Sequence, residues 1–104
     1  MTIQWIYGAS GCGKSTLARK LLDAKTVHLD GDDMRRVWTD LGFSHQDRHT
    51  QNLRVANLAR VIERQGFNVV VSTICPTPEL RAEVYAITGC SFIHIEDTRD
   101  AKSW

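Results

Sequence analysis

Short apolar runs rich in β-prone residues alternate along the chain with segments whose apolar residues recur every three or four positions. The first pattern predicts β-strands and the second predicts amphipathic helices. Strands are predicted at residues 3–7, 26–29, 68–72 and 89–95. Helices are predicted over residues 14–22 and 33–41, between Ser44 and Gly66, and from Thr77 to about 87. This alternation favours an α/β fold in which helical crossovers join parallel strands.

Two of these elements carry particularly clear signals. The valine-rich run from Asn68 to Ser72 is typical of a strand that is buried on both faces of a sheet. Ser44 stands three residues before Asp47, which predicts that Ser44 caps the N-terminus of the third helix. His28 and His94 fall inside predicted strands, and we interpret both as packed or edge residues.

The composition indicates a globular protein without a strong charge bias. At 104 residues the chain is expected to form one domain, residues 1–104, ending soon after the fourth strand. A formal net charge of +1 argues against a general binder of nucleic acids or membrane surfaces. No apolar run approaches the roughly 20 residues of a transmembrane helix. The three cysteines follow no disulfide or zinc pattern, so we expect a reducing, cytoplasmic setting.

Residues 8–15 match the phosphate-binding pattern G-x-x-x-x-G-K-[ST] at every fixed position. The match follows a predicted strand and opens a predicted helix, which is the context this loop requires to direct backbone N–H groups at phosphates. Lys14 is expected to reach the outer phosphates of ATP, and Ser15 to ligate Mg²⁺. The alternative is a glycine-rich turn with an incidental lysine. The predicted nucleotide-binding residues are Gly8, Ala9, Ser10, Gly11, Cys12, Gly13, Lys14, Ser15 and Thr16.

Charged residues after the second strand extend the predicted site. Asp30 and Asp32 follow that strand at the carboxyl edge of the sheet, where ligands of open α/β folds bind. Either carboxylate would serve as a proton acceptor or hold Mg²⁺, and the alternative is that one of them caps the next helix. Nearby arginines suit phosphate or sulfate contacts, with solvated surface charge as the alternative. These arginines are Arg35, Arg36, Arg48 and Arg54.

Several motifs, taken in order, resemble those of the adenylylsulfate kinase (APS kinase) family over nearly the whole chain. The family's G-x-S-G-x-G-K-S-T-L-A matches residues 8–18, and its L-D-G-D-x-x-R matches residues 29–35. Its L-G-F-S-x-x-D-R matches residues 41–48, and N-[IL]-R matches residues 52–54. The motif V-S-x-I-S-P is approached by residues 71–76, where Cys75 replaces the second serine.

This resemblance implies a fold, a reaction and a set of roles. The fold is a three-layer P-loop NTPase-type sandwich with a parallel sheet of about four strands in the order 2-3-1-4. The reaction transfers the γ-phosphoryl group of ATP to the 3′-hydroxyl of adenosine 5′-phosphosulfate (APS), giving PAPS. The implied catalytic residues are Lys14, Asp30 and Asp32, with Ser15 and Asp30 at the metal. The implied substrate-binding residues are Arg35, Phe43, Arg48, Asn52 and Ile74, with Phe43 stacked on the adenine.

The chain also departs from the family pattern. Asn52 follows Arg48 by four residues where the family usually has three, which predicts a shifted helix start. The tail from Arg99 to Lys102 resembles the start of a family motif that precedes a basic lid, and the chain ends before any lid. A kinase for another small molecule or a nucleic-acid 5′ end therefore stays open, as does a non-catalytic nucleotide-binding module. An unpaired edge after the fourth strand favours self-association as a homodimer.

Overall fold

Four parallel strands form one sheet in the computed structural model, which describes residues 2–9, 11 and 13–95. The strands are Ile3–Tyr7 (β1), Thr26–Asp30 (β2), Asn68–Thr73 (β3) and Ser91–His94 (β4). Their spatial order is β2-β3-β1-β4, and every neighbouring pair is parallel. The predicted α/β class and strand order are thus confirmed.

In the described part of the chain, four helices connect or flank these strands. They are Lys14–Lys20 (α1), Gly31–Val37 (α2), His45–Arg64 (α3) and Pro78–Thr88 (α4). The N-terminus of α3 is capped as the sequence predicts, since Ser44 Oγ accepts a 3.0 Å hydrogen bond from the Asp47 amide. Among the described residues, no helix has both the length and the apolar character that a membrane crossing would need.

Three predicted elements have bounds that differ from the structure by two residues or more. α1 ends at Lys20, two residues before its predicted end, and α2 runs from Gly31 to Val37 where 33–41 was predicted. Gly89 adopts a left-handed conformation, with φ of 63°, and ends α4. β4 therefore begins at Ser91 and not at Gly89.

Two hydrophobic clusters lie on opposite faces of the sheet. On one face Trp5 and Val71 pack with Val55 of α3 and Val84 of α4. On the other face Ile6 and Val70 pack with Ala18 of α1. β3 lies between β2 and β1 and is buried almost throughout, as its valine-rich sequence predicts. The sheet is therefore the middle of three layers.

Strand register brings the functional segments to one edge of the sheet. Asp30 at the end of β2 pairs with Ser72 of β3, and Tyr7 at the end of β1 pairs with Thr73. Because parallel strands share the direction of their carboxyl ends, the loop after β1 and the start of α2 meet at this edge.

Candidate nucleotide and acceptor site

The glycine-rich loop between β1 and α1 forms the first part of the site. Gly11 and Gly13 have φ of 78° and 99°, values that favour glycine over residues with a Cβ. Lys14 Nζ donates a 2.7 Å hydrogen bond to the Ala9 carbonyl, so its side chain folds back over the loop. Ser10 and Cys12, which were predicted to bind nucleotide, lie outside the described residues.

Asp30 is the centre of a hydrogen-bond cluster that joins the loop to the sheet. Its Oδ1 accepts hydrogen bonds from Ser15 Oγ at 2.8 Å and from Ser72 Oγ at 2.7 Å. Burial raises the pKa of Asp30, but the bonds from Ser72 and Ser15 outweigh it and hold the pKa below its ordinary value. Asp30 occupies the cap position of α2, yet the two hydroxyl groups that bond its Oδ1 belong to Ser15 and Ser72, outside that helix. The carboxylate is therefore turned toward the loop.

His28 joins the same cluster from β2. Its Nε2 lies 2.8 Å from Ser72 Oγ, and the ring is half-buried. Burial lowers the pKa of His28, although the charges of Asp30 and Asp33 act in the opposite direction. His28 is thus a half-buried residue of an edge strand, as the sequence indicated, and it also contacts Ser72.

A cleft of about 370 Å³ runs from the loop to the ends of β2 and β3. It contains most of the predicted catalytic and nucleotide-binding side chains. Its lining residues are Gly11, Gly13, Lys14, Ser15, Thr16, Asp30, Gly31, Asp32, Ser72, Thr73 and Ile74. Lys14, four hydroxyl residues and two carboxylates thus line one space.

A smaller cavity of about 50 Å³ adjoins this cleft. The two share Gly31, Asp32, Thr73 and Ile74. Four of the five predicted substrate-binding residues line the smaller cavity, namely Arg35, Arg48, Asn52 and Ile74. Asp32 and Ile74 therefore mark the junction between the predicted nucleotide and acceptor regions.

Phe43, the fifth predicted substrate residue, lines neither cavity. Its side chain is 71% exposed, and the Arg35 guanidinium lies 4.1 Å from the centre of its ring. Arg54 also lies away from the cavities, because it forms a two-pronged ion pair with Asp40 at 2.9 and 3.0 Å. For Arg54 the structure therefore favours the alternative of a surface charge pair.

Asn52 is 2% exposed and fully engaged by the protein. Its Nδ2 donates to the carbonyls of Arg48 and Ile74, and its Oδ1 accepts a 2.7 Å bond from Thr73 Oγ1. Thr73 Oγ1 in turn accepts from the indole N–H of Trp5 at 3.0 Å. The four-residue spacing puts Arg48 and Asn52 one above the other on α3, so this network braces the wall of the smaller cavity.

Sequence reasoning missed several polar residues of the site. Ser72 and Thr73 belong to β3, and their roles depend on which strand lies beside them. Gln51 is 4% exposed and donates to the Gly31 carbonyl at 3.0 Å. Its Oε1 and Arg48 Nε are buried, and neither has a hydrogen-bond partner within the described ranges. Both residues line the smaller cavity.

Comparisons with known proteins point to one family. The family model for adenylylsulphate kinase matches residues 1–99. An adenylyl-sulfate kinase from Paraburkholderia xenovorans is 40% identical over 99 residues, covering 88% of this chain and 55% of the relative. The chain thus spans about half the length of the curated relatives that it matches.

Solved structures give the same result. The APS kinase of Mycobacterium tuberculosis in complex with AMPPNP and APS aligns with a TM-score of 0.78 at 34% identity, over 97% of this chain and 66% of that one. A hexameric APS kinase from Thiobacillus denitrificans aligns with a TM-score of 0.76 at 30% identity, over 91% of this chain and 21% of that one. From the matched residues, the strand order and these relatives, we conclude that the chain belongs to the adenylylsulfate kinase family of P-loop proteins.

Proposed function

We propose that the chain binds ATP with Mg²⁺ and transfers the γ-phosphoryl group to the 3′-hydroxyl of adenosine 5′-phosphosulfate, which yields PAPS and ADP. The observation that carries this proposal is the adjacency of the two cavities, which share four lining residues. Lys14 and Ser15 line the larger one, Arg35 and Arg48 line the smaller one, and Asp32 borders both. A donor phosphate and an acceptor hydroxyl bound in these spaces would meet beside Asp32.

Lys14 and the amides of the glycine-rich loop would hold the ATP phosphates. The ammonium group is positioned to exchange its bond to the Ala9 carbonyl for phosphate oxygens, whose charge gives a stronger interaction. In the transition state, charge spreads over the oxygens of the transferring group, so a fixed cation at this position lowers the barrier.

Ser15 and Asp30 fit a magnesium site. Magnesium takes oxygen ligands at about 2.0–2.1 Å in an octahedron, so neighbouring ligand oxygens lie about 2.9 Å apart. Ser15 Oγ and Asp30 Oδ1 are 2.8 Å apart at the wall of the larger cleft. When bound, Mg²⁺ would neutralise charge on the β- and γ-phosphates. Ser72 retains its own bond to Asp30 and would keep the carboxylate oriented.

The two carboxylates would then have separate tasks. Asp30 has a lowered pKa and is a poor proton acceptor, which suits a magnesium ligand that stays ionised. Asp32 borders the acceptor cavity, and we assign to it the proton of the attacking 3′-hydroxyl. The new bond joins the 3′-oxygen to the γ-phosphorus, the bond from that phosphorus to the β–γ bridging oxygen breaks, and ADP leaves.

The acceptor would lie between the arginines and Phe43. Arg35 and Arg48 offer planar forks for phosphate and sulfate oxygens. The exposed Phe43 ring beside Arg35 offers a stacking surface for an adenine. The APS complex of the Mycobacterium tuberculosis relative supports this acceptor, because that structure aligns over nearly all of this chain.

An assay of ADP release with MgATP, in the presence and absence of APS, tests the proposal, with PAPS identified by mass spectrometry. ADP and PAPS formed in equal amounts, only when APS is added, would support it. Release only with another acceptor, such as a 5′-hydroxyl oligonucleotide, would indicate a kinase of different specificity. Binding without turnover would indicate a nucleotide-binding module.

Calorimetry of ATP binding is a second test, and it has a matched control variant. Lys14→Ala should weaken ATP binding about tenfold to a hundredfold, the loss expected for one charge-assisted contact. Lys25→Ala removes an exposed lysine at the start of β2 and should leave the affinity unchanged. Equal affinities for the two variants would refute the proposed phosphate site.

The remaining proposals concern setting and assembly. Cys75 and Cys90 are buried free thiols, which supports a reducing, cytoplasmic setting. Assembly as a homodimer is supported by β4, an edge strand of the described sheet, and by the oligomeric relative from Thiobacillus denitrificans. Light scattering after size exclusion would report a mass of about 12 or 24 kDa, since the monomer mass is 11.8 kDa.

A further inference from the structure

We infer that His28 is a positioning residue, whose Nε2–H holds the Ser72 hydroxyl in the orientation that directs its proton onto Asp30. This inference rests on the proposed magnesium and phosphoryl-transfer role of Asp30. It adds a third member, from an edge strand, to a pair that joins β2 and β3.

The direction of each hydrogen bond in the cluster follows from the number of available protons. Among the described residues, Ser72 Oγ has two polar neighbours, Asp30 Oδ1 at 2.7 Å and His28 Nε2 at 2.8 Å, and it carries one hydrogen. A carboxylate oxygen only accepts, so the hydroxyl proton must point to Asp30. The contact to His28 then needs a proton on Nε2, because two lone pairs at 2.8 Å would repel. His28 is thereby held in the Nε2–H tautomer.

The consequence for the site concerns the moment when Ser15 turns to the metal. Asp30 Oδ1 is held by Ser15 and Ser72 together. If Ser15 leaves Asp30 for Mg²⁺, Ser72 is the remaining hydroxyl on that oxygen, and its direction depends on the donor behind it. Without His28 the Ser72 hydroxyl loses this restraint and can rotate, and Asp30 is then less well ordered.

Three substitutions and one double mutant test this inference. His28→Leu removes the donor, and His28→Gln keeps an N–H donor at a similar reach. A neutral hydrogen bond is worth about 0.5–1.5 kcal/mol, so kcat with APS should fall about threefold to tenfold in the leucine variant. The KM for APS should stay within a factor of about two, because His28 lines neither cavity, and glutamine should restore most of the rate. In a Ser72→Ala background the leucine substitution should have no further effect.

A second measurement does not depend on activity. Long-range ¹H–¹⁵N spectra of the ligand-free protein report the tautomer of each histidine, and His28 should show the Nε2–H form. His49→Leu is the matched control for His28→Leu, since His49 is a surface residue paired with Glu83 between α3 and α4.

The outcomes separate this inference from the proposed function. A chain that transfers no phosphoryl group to APS but shows the Nε2–H tautomer at His28 would refute the proposed reaction. The proposed hydrogen bonds from His28 to Ser72 and from Ser72 to Asp30 would still be supported. An Nδ1–H tautomer, additive losses in the double mutant, or a glutamine variant as slow as the leucine variant would each overturn the role of His28.

Discussion

Ser15 Oγ donates a 2.8 Å hydrogen bond to Asp30 Oδ1, which connects the phosphate-binding loop to the end of β2. The two residues come from separate sequence motifs, and their contact converts two local patterns into one site.

We predict that Ser15→Ala removes most of the gain in ATP affinity that Mg²⁺ provides, because the variant loses one metal ligand. The expected loss is about tenfold, measured by calorimetry in magnesium and in EDTA.

Ser15→Thr is the matched control for this prediction. Threonine keeps the hydroxyl and satisfies the loop motif, so its magnesium dependence should match that of the unmodified chain. If alanine and threonine behave alike, Ser15 is not a metal ligand.

The second prediction concerns Phe43. Phe43 is 71% exposed, so replacing it costs little stability, while stacking of one base on an aromatic ring contributes about 1–3 kcal/mol. Phe43→Ala should therefore raise the KM for APS about fivefold or more, with the melting temperature unchanged. Phe67→Ala is the control, since Phe67 is 40% exposed just before β3. Equal KM values for the two variants would contradict a stacking role.

The sequence predicted the parts of the site that are local in the chain. The motif of residues 8–15 is contiguous in the sequence, and Gly11 and Gly13 have the positive φ that glycine permits. A phosphate-binding loop between a strand and a helix could therefore be inferred directly. Asp30 was also predicted, because it ends a recognisable strand.

Contacts between strands could not be predicted in the same way. Ser72 meets Asp30 only because β3 lies beside β2 in one register, and the two residues are separated by 42 positions. A shift of that register by one residue would turn Ser72 to the other face of the sheet, where it could not bond His28. The strand order itself came from the family resemblance and not from the periodicity. For Asn52 the motif identified the residue, but it did not predict the three protein residues that its side chain bonds.

The third prediction concerns that buried amide. Asn52→Ala leaves the Ile74 carbonyl without the amide donor and Thr73 Oγ1 without the acceptor that Asn52 supplies. Because these groups lie in a buried wall, the free energy of unfolding should fall by about 1–3 kcal/mol, measured by urea denaturation. Asn57→Ala on the same helix removes an exposed amide with one bond to the Leu53 carbonyl, and its effect should stay within about 0.5 kcal/mol. Equal losses would show that the network adds no stability.

The last prediction concerns Cys75, which replaces a serine of the family motif. Burial, opposed by the charge of Arg81, raises the pKa of this thiol to about 12. The thiolate is the reactive form, so the native protein at pH 8 should alkylate at Cys75 far more slowly than the urea-unfolded chain. Peptide mapping after iodoacetamide treatment distinguishes Cys75 from the other cysteines. Equal rates in the two states would contradict the buried, protonated thiol.

The raised pKa of Cys75 also has a consequence for stability. The unfolded thiol ionises near its ordinary pKa of 9.0 and the folded thiol near 12, so its contribution is complete below pH 9 and is lost as the pH rises from 9 toward 12. Cys75→Ala removes this titration. The variant should be less stable at pH 8 because of the cavity it creates, but it should lose less of its melting temperature between pH 8 and 11. The difference between the two curves reports the titration of Cys75, and parallel curves would show that burial does not hold this thiol protonated.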